Sequence, residues 1–238
     1  MKQNILEWEH VSGNTGKFDL SDISFSLPAG YIMGIAGKNG AGKTTLIDYM
    51  VNPKRRYTGV IRLGGIDIRN DHPAMLREIG LVSEENRFLL ERSARQNAEI
   101  LGILYENWDM ECFLSAMESM ELAPTKVVGK MSRGENMKFQ MAFAMAHKSR
   151  LYLLDEVTAG MDPVFRIDFF KILQKVIEGE EASVLMTSHL QEEIERKMDY
   201  VGIMENGKMT AFGEADTVAE GYGDQDETKR ERSDKGRA

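Results

Sequence analysis

The chain has 238 residues, 42% of them hydrophobic and 29% charged, which is an ordinary globular composition with room for one domain and a subdomain or for two small domains. Its net charge of −8 disfavours a nucleic-acid partner, and no apolar run approaches the roughly 18 residues of a membrane helix. The single cysteine, Cys112, excludes an intrachain disulfide and is typical of a reducing cytoplasm, and its apolar neighbours favour burial over a reactive thiol.

The N-terminal region predicts two strands, a turn and a third, buried strand. Residues 5–11 indicate a short strand that breaks at the polar stretch 12–16. Residues 18–27 alternate apolar and polar side chains, as a half-buried strand does. Residues 28–30 predict a turn, and the apolar run at 31–36 that follows it indicates the buried strand.

A glycine-rich segment lies between this buried strand and a helical stretch. It fits the phosphate-binding pattern G-x-x-x-x-G-K-[ST] in the strand–loop–helix setting of a P-loop. Its residues are Gly37, Lys38, Asn39, Gly40, Ala41, Gly42, Lys43, Thr44 and Thr45. Glycines let the backbone wrap around phosphates, and the N–H groups at a helix N-terminus attract anions. Lys43 adds a charge for the terminal phosphates and Thr44 a hydroxyl for Mg²⁺, so the segment predicts nucleotide binding.

The middle of the chain predicts a hairpin, a core strand and a helical region. Residues 60–68 predict the hairpin, and residues 79–82 predict the core strand. Between residues 93 and 122 only helical spacing is found. Two apolar faces are expected there, one with Ala94, Ala98, Leu101 and Leu104 and the other with Phe113, Met117 and Met120.

A further helix is predicted from about residue 132 to residue 147. Its start fits a capping box, in which Ser132 and Glu135 satisfy each other's backbone N–H groups. Gly134 in the first turn costs roughly 0.5–1 kcal/mol of helix stability relative to alanine, and a closely approaching phosphate would explain its presence. A buried face is expected from Met137, Met141 and Met145.

The last third of the chain carries two acidic residues after a strongly apolar strand at 151–154. Asp155 is placed to hold Mg²⁺ opposite Thr44, and Glu156 to orient or deprotonate an attacking water. Asp162 is expected to cap the next helix, residues 183–186 to form a buried strand, and residues 200–212 a hairpin with an Asn-Gly turn. Residues 221–238 are rich in charge and predict a disordered tail.

The order of these motifs resembles the ATPase subunit of an ABC transporter over about residues 3–213. The P-loop is similar to that family's Gly-x-Asn-Gly-Ala-Gly-Lys-Thr-Thr form. Residues 132–135, Ser-Arg-Gly-Glu, lie where the family has its Leu-Ser-Gly-Gly-Gln signature. Residues 159–162 resemble the D-loop, His189 the switch histidine, and Glu84 occupies the usual position of the Q-loop glutamine.

The resemblance implies an α/β P-loop NTPase with a RecA-like parallel sheet, an antiparallel β subdomain and an inserted helical subdomain. Residues 1–220 would form the ATPase domain, with the helical subdomain at about 86–135. ATP and Mg²⁺ would be the cofactors, and ATP on the P-loop of one subunit would meet the signature loop of a second ATPase subunit. The catalytic residues would be Lys43, Glu156 and His189, the metal ligands Thr44, Glu84 and Asp155, and the signature contacts Ser132, Arg133, Gly134 and Glu135.

A separate polytopic membrane protein would complete the transporter, with the ATPase at the inner face of the cell membrane and contacts through the helical subdomain and residues 84–90. Three details resemble the bacitracin-resistance branch, which serves antibiotic and peptide exporters: an acidic Q-loop, a charged signature loop and the pair Trp108-Asp109. Two alternatives remain open. The chain could be an ABC ATPase without a transporter, as in iron–sulfur assembly, or a degenerate cassette that binds ATP and only signals.

Two departures from the family pattern lead to further hypotheses. Arg133 replaces a glycine and Glu135 a glutamine of the signature, and we hypothesise that these opposite charges act as a compensated pair. No aromatic residue falls clearly at the adenine-stacking position. Phe18 is the nearest candidate, although strand alternation explains it equally as a core residue.

Overall fold

The computed structural model describes residues 3–16, 18–159, 161–188 and 197–218. The predicted tail at 221–238 lies outside these ranges, as do Gly160 of the D-loop and His189. None of the helices in the described ranges combines the length and the apolar character that crossing a bilayer requires.

The described strands form two sheets. The strands are β1 (Asn4–Asn14), β2 (Asp19–Pro28), β3 (Ile32–Ala36), β4 (Thr58–Leu63), β5 (Ile66–Asp67), β6 (Ile79–Val82), β7 (Leu151–Asp155), β8 (Ser183–Ser188), β9 (Tyr200–Glu205) and β10 (Lys208–Glu214). The antiparallel four-stranded sheet has the order β2-β1-β4-β5. The six-stranded sheet has the order β10-β9-β3-β8-β7-β6, and all its neighbours are parallel except β9 and β10.

The helices lie between the strands, and α3, α4 and α5 all fall between β6 and β7. They are α1 (Lys43–Val51), α2 (His72–Arg77), α3 (Ala94–Leu101), α4 (Met110–Ser119), α5 (Arg133–Ala146) and α6 (Pro163–Ile177). The region at 93–122 is helical, as its spacing predicts. Asp162 caps α6 as expected, since its side chain accepts hydrogen bonds from the N–H groups of Val164 and Phe165.

The parallel sheet is covered on both faces, which is why its strands are apolar throughout. In β7, Leu151 and Leu153 point into a core shared with α1 and the antiparallel sheet. Tyr152 and Leu154 point to the other side, into a core shared with α4, α5 and α6. This two-layered burial confirms the predicted α/β class with an antiparallel subdomain.

Two predictions of local structure were wrong. The first strand does not break at 12–16: β1 continues to Asn14, because a bulge at His10, with φ at 49°, absorbs a register shift and the pairing with β2 resumes. Leu104 does not share the buried face of Ala94 and Ala98. It lies in a short 3-10 turn after α3 and is 63% exposed, since the tighter turn rotates it away from the helical face.

The end of α5 contains a buried histidine that makes folding sensitive to acid. His147 is 4% exposed and stacks on Tyr105 with ring centroids 4.1 Å apart. Burial lowers the pKa of His147 from 6.5 to about 4. The folded state thus prefers the neutral ring, so this stability is complete above pH 6.5 and is lost as the pH falls towards 4.

We expect acidification from pH 7 to pH 4 to remove about 3 kcal/mol of unfolding free energy through His147 alone. The measurement is urea unfolding at both pH values, with the His147→Gln variant as the comparison. We expect that variant to be less stable at pH 7, but the unfolding free energy that it loses between pH 7 and pH 4 should be smaller by this amount. His10→Gln, which removes a histidine at the surface, is the matched control. An equal pH effect in the two variants would contradict the prediction.

Candidate active site

The carboxyl ends of four parallel strands bring the predicted site residues together. The P-loop follows β3 and Glu84 follows β6. Asp155 ends β7 with Glu156 directly after it, and Thr187 is near the end of β8. This is the edge at which open α/β sheets bind ligands. A cleft of about 510 Å³ opens there, and Thr44, Glu84, Asp155 and Glu156 are among the residues that line it.

The P-loop has the backbone conformation that a phosphate cradle needs. Gly40 and Gly42 have φ values of 81° and 108°, in the left-handed region that favours glycine. A Cβ atom on Gly42 would lie 2.6 Å from Cε1 of Phe18, so an alanine would also clash. Gly42 caps α1 without a side-chain hydrogen bond, which leaves the first amides of the helix available to an anion.

Lys43 connects this loop to the acidic end of β7. Its side chain is 3% exposed, and Nζ donates to the carbonyl of Gly37 at 2.8 Å. The same Nζ lies 3.1 Å from Oε1 of Glu156. Glu156 itself has a left-handed φ of 50°, an uncommon conformation for a residue with a side chain and one that often marks functional sites. The structure therefore places a cation and a carboxylate side by side at the phosphate cradle.

Asp155 lies at the centre of an oxygen-rich cluster. Its Oδ1 accepts hydrogen bonds from Oγ1 of Thr187 at 2.7 Å and from Oγ1 of Thr44 at 3.2 Å. Burial raises the pKa of Asp155, while these two hydrogen bonds oppose the increase. Thr187 also accepts the backbone N–H of Glu156 at 2.9 Å, so it orients both acidic residues.

We expect Thr187→Val to lower ATP turnover by about 10- to 100-fold. The change keeps the branched shape but removes a hydrogen bond to a carboxylate, which is worth about 1.5–3 kcal/mol. Steady-state phosphate release at saturating ATP measures the effect. Thr187→Ser, which keeps the hydroxyl, should retain most of the activity, and equal turnover of the valine variant and the unaltered chain would disprove the role of Thr187.

The signature-like loop forms the predicted capping box at the start of α5. Oγ of Ser132 accepts the N–H of Glu135 at 3.3 Å, and Oε2 of Glu135 accepts the N–H of Ser132 at 2.9 Å. Glu135 also forms an ion pair with Lys126 at 2.7 Å, which is the main reason that the pKa of Glu135 is lowered.

Arg133 and Glu135 do not form an ion pair with each other, and their compensation near phosphates stays a prediction. With Glu135 paired to Lys126, Arg133 turns the other way and contacts Glu84, with 2.5 Å between the guanidinium and Oε1. The guanidinium also donates to the backbone carbonyl of Glu156 at 3.4 Å. The two unusual charges of the signature loop thus have separate partners, and that of Arg133 is the acidic residue of the Q-loop position.

Two positioning residues were not identified from the sequence. Gln140 of α5 is buried and holds the backbone of Ser83 with both ends of its amide, at 3.0 Å and 2.9 Å. This clamp fixes the residue before Glu84. Thr187 is the second, and its place at the end of a strand beside the acidic pair was the available signal.

The roles of two predicted site residues, Phe18 and His189, stay predictions. Phe18 packs against Gly42 and lines the cleft next to the P-loop, and its stacking on a base stays a prediction. His189 lies outside the described residues, and its role stays a prediction. The remaining groups combine an anion-binding loop, a buried lysine, oxygen donors suited to a hard cation and a carboxylate, which together suit phosphoryl transfer to water.

Comparison with known proteins identifies the family. Residues 20–159 match the family described as "ABC transporter". The chain is 30% identical over 203 residues to the ABC transporter ATP-binding protein YtrB of Bacillus subtilis, covering 85% of this chain and 69% of that protein. It is 30% identical over 191 residues to the bacitracin transport ATP-binding protein BcrA of Bacillus licheniformis, covering 79% of this chain and 62% of that protein.

Solved structures show the same fold. An ATP-binding subunit of an ABC transporter superposes with a TM-score of 0.83 at 22% identity, covering 92% of this chain and 93% of the other. The ADP conformation of an ATP-binding cassette gives 0.73 at 24% identity, covering 89% and 91%. With the family match over residues 20–159 and the assembled P-loop and acidic strand end, the chain belongs to the ABC transporter family as one of its ATP-binding domains.

Proposed function

We propose that this chain is the ATPase subunit of an exporter for an antibiotic, peptide or similar compound, and that it hydrolyses Mg²⁺–ATP in a nucleotide-sandwich dimer. Members of the family are ATPases that drive transport and bind nucleotide. The observation that carries the proposal is the convergence of Lys43, Thr44, Asp155 and Glu156 on one cleft. The exporter class follows from likeness to relatives named for bacitracin and linearmycin.

The donor set fits Mg²⁺. Thr44 and Asp155 offer two oxygens 3.2 Å apart, and oxygen ligands are what this cation prefers. In the described ranges no cluster of three or more histidine, cysteine or acidic side chains could hold a metal alone. This suits an ion that completes its shell with waters and nucleotide phosphates. Thr44 and Asp155 would hold the ion, with Glu84 at the edge of the cleft, and the ion would offset phosphate charge.

The chain's own residues account for the remaining steps. The P-loop amides and Lys43 bind and orient the phosphates. Glu156 lies beside Lys43, where it can take a proton from a water that attacks the terminal phosphate. Thr187 holds Asp155 and the backbone of Glu156 in place.

Gly134 supports the second half of the sandwich. A Cβ atom there would meet no atom of this subunit within 4 Å, so internal packing does not require a glycine. A glycine in the first turn of α5 nevertheless weakens the helix. A need for glycine at this position would then come from a group outside the subunit. Nucleotide bound to a second subunit is such a group, because Ser132 and the N-terminus of α5 face outward beside Gly134.

We expect Gly134→Ala to have opposite effects on stability and on dimerisation. It should raise the unfolding free energy of the monomer by roughly 0.5–1 kcal/mol, since alanine restricts the unfolded chain. It should also weaken ATP-dependent dimerisation. Sedimentation measures this effect by comparing the Glu156→Gln variant with and without the Gly134→Ala change. Unchanged dimerisation would remove Gly134 from the interface, and reduced stability would show that the glycine serves the subunit's own fold.

The membrane partner is proposed to dock at the apolar groove between β6 and the helical region. This groove is lined by Leu81, Phe88, Leu101, Tyr105, Phe143 and His147, among others. Leu104 also lines it, and Ile103 is exposed beside it, on the turn after α3. Such a partner would hold the ATPase at the inner face of the membrane.

Co-expression with a candidate polytopic membrane protein tests the transport role. A stable complex with ATPase activity that responds to the transported compound supports an exporter. Turnover with no stable membrane complex would favour a soluble ABC ATPase of the iron–sulfur assembly type. Nucleotide binding without turnover would favour a degenerate regulator.

A further inference from the structure

We propose that Glu84 and Arg133 form a reversible latch within one subunit, and that opening it releases Arg133 to bind nucleotide phosphate on the second subunit. The latch itself stands on contacts within one chain, whereas the phosphate role of Arg133 rests on the proposed sandwich dimer. The proposal assigns a positioning role to Glu84 and a phosphate-binding role to Arg133.

The contacts connect the two segments that border the catalytic cleft. The Arg133 guanidinium lies 2.5 Å from Oε1 of Glu84 and 3.4 Å from the carbonyl oxygen of Glu156. Arg133 is the first residue of α5, and Glu84 directly follows Ser83, whose backbone Gln140 clamps. The ion pair therefore joins the start of a helix to a fixed strand end, with no flexible segment between the clamp and the carboxylate.

The charges of the pair explain two departures from the family pattern at once. The resembled family has glutamine at the first position and glycine at the second, and neither can form an ion pair. This chain has an acid and a base there, and they bind each other. No alternative acidic partner competes for Arg133 at its own loop, because Glu135 is held by Lys126 at 2.7 Å.

The pair is exposed enough to open. The side chains of Arg133 and Glu84 are 46% and 61% exposed, and ion pairs in that setting are weak. Two ligands of the same site would compete with this ion pair. Glu84 lines the cleft with Thr44 and Asp155, where a bound Mg²⁺ would attract its carboxylate. A phosphate offers the guanidinium a stronger, bidentate partner than the single contact it has with Glu84.

Exchange of the partners then couples nucleotide binding to dimerisation. In the separate subunit, Glu84 neutralises Arg133 and holds it against the backbone of Glu156. If Glu84 turned to a cation bound in the cleft, Arg133 would lose its partner and its charge could meet phosphate across the dimer interface. Glu84 thus keeps Arg133 from binding phosphate until nucleotide occupies the cleft.

Hydrogen exchange of the nucleotide-free subunit tests the latch. Arg133→Gln and Glu84→Gln should each speed amide exchange in residues 84–88 about two- to fivefold, the range expected for an exposed ion pair. The double variant should exchange no faster than either single one. Arg95→Gln, which removes an exposed pair with Glu99 on α3, is the matched control and should leave these amides unchanged. Additive effects, or none, would overturn the latch.

Dimerisation tests the release of Arg133. In the Glu156→Gln background with Mg²⁺ and ATP, sedimentation gives the ATP concentration for half-maximal dimer. Glu84→Gln should lower that concentration about two- to fivefold, Arg133→Gln should raise it, and the double variant should match Arg133→Gln. Arg133→Lys should lie between the parent and Arg133→Gln.

An unchanged or higher midpoint in Glu84→Gln would overturn the coupling. Failure of the Glu156→Gln parent to dimerise at all would overturn the sandwich and the phosphate role of Arg133 together. Hydrogen exchange still decides the latch in that case, so the two failures are distinguishable.

Discussion

Glu156→Gln is expected to retain ATP binding and to lose ATP hydrolysis by about 10²- to 10⁴-fold, the typical contribution of a positioned general base. The carboxylate lies 3.1 Å from Nζ of Lys43, at the loop that cradles the phosphates. An amide has nearly the same shape but cannot take a proton from water. Binding should survive because the P-loop amides and Lys43 remain.

Two measurements separate binding from chemistry in this variant. Equilibrium binding of ATP should be unchanged or tighter, and phosphate release in a single turnover should be slow. Glu99→Gln, an exposed change on α3 away from the cleft, is the control for the loss of one charge. Near-normal turnover of Glu156→Gln would remove this residue from the mechanism.

Lys43→Ala is expected to weaken ATP binding by about 10- to 100-fold, since hydrogen bonds of charged groups contribute about 1.5–3 kcal/mol. Lys43 is 3% exposed, so its charge acts in a site from which water is largely excluded. Its loss also leaves the carbonyl of Gly37 without its hydrogen bond and Glu156 without its ion pair.

Calorimetric titration with ATP in Mg²⁺ buffer measures this loss of affinity. Lys54→Ala provides the control, because Lys54 is exposed beyond the end of α1. Lys43→Ala should bind ATP more weakly than Lys54→Ala. Equal binding constants for the two variants would show that Lys43 does not contact the phosphates and would contradict the assignment. A thermal scan of both proteins separates loss of binding from loss of folding.

The sequence predicted the elements that local rules control. The P-loop needed glycine at Gly40 and Gly42, and both have positive φ values. The Asn206-Gly207 turn, with φ values of 47° and 78°, and the Asp162 cap follow equally from local chemistry. The buried strands could be recognised because both faces of a parallel sheet are apolar.

Long-range partners of charged side chains could not be predicted in this way. The opposite charges of Arg133 and Glu135 in one loop suggested a compensated pair, but residues two apart on a helix point in different directions. Lys126 and Glu84 come close to them only because the chain folds back, and the sequence separation from Arg133 to Glu84 is about fifty residues. The bulge at His10 escaped prediction for a related reason, since it depends on register with β2 and β4.

The helix that begins at Arg133 also has a mechanical consequence. It has 14 residues, so it is a rod of about 21 Å. Its first turn lies at the catalytic cleft, and its later residues Phe143 and Ala144, followed by His147, line the apolar groove. The Gln140 amide hydrogen-bonds Ser83 at the edge of the groove that faces the first turn and can act as a fulcrum. A tilt about this point moves the two ends in opposite directions, so a push at the groove would become a displacement of Arg133.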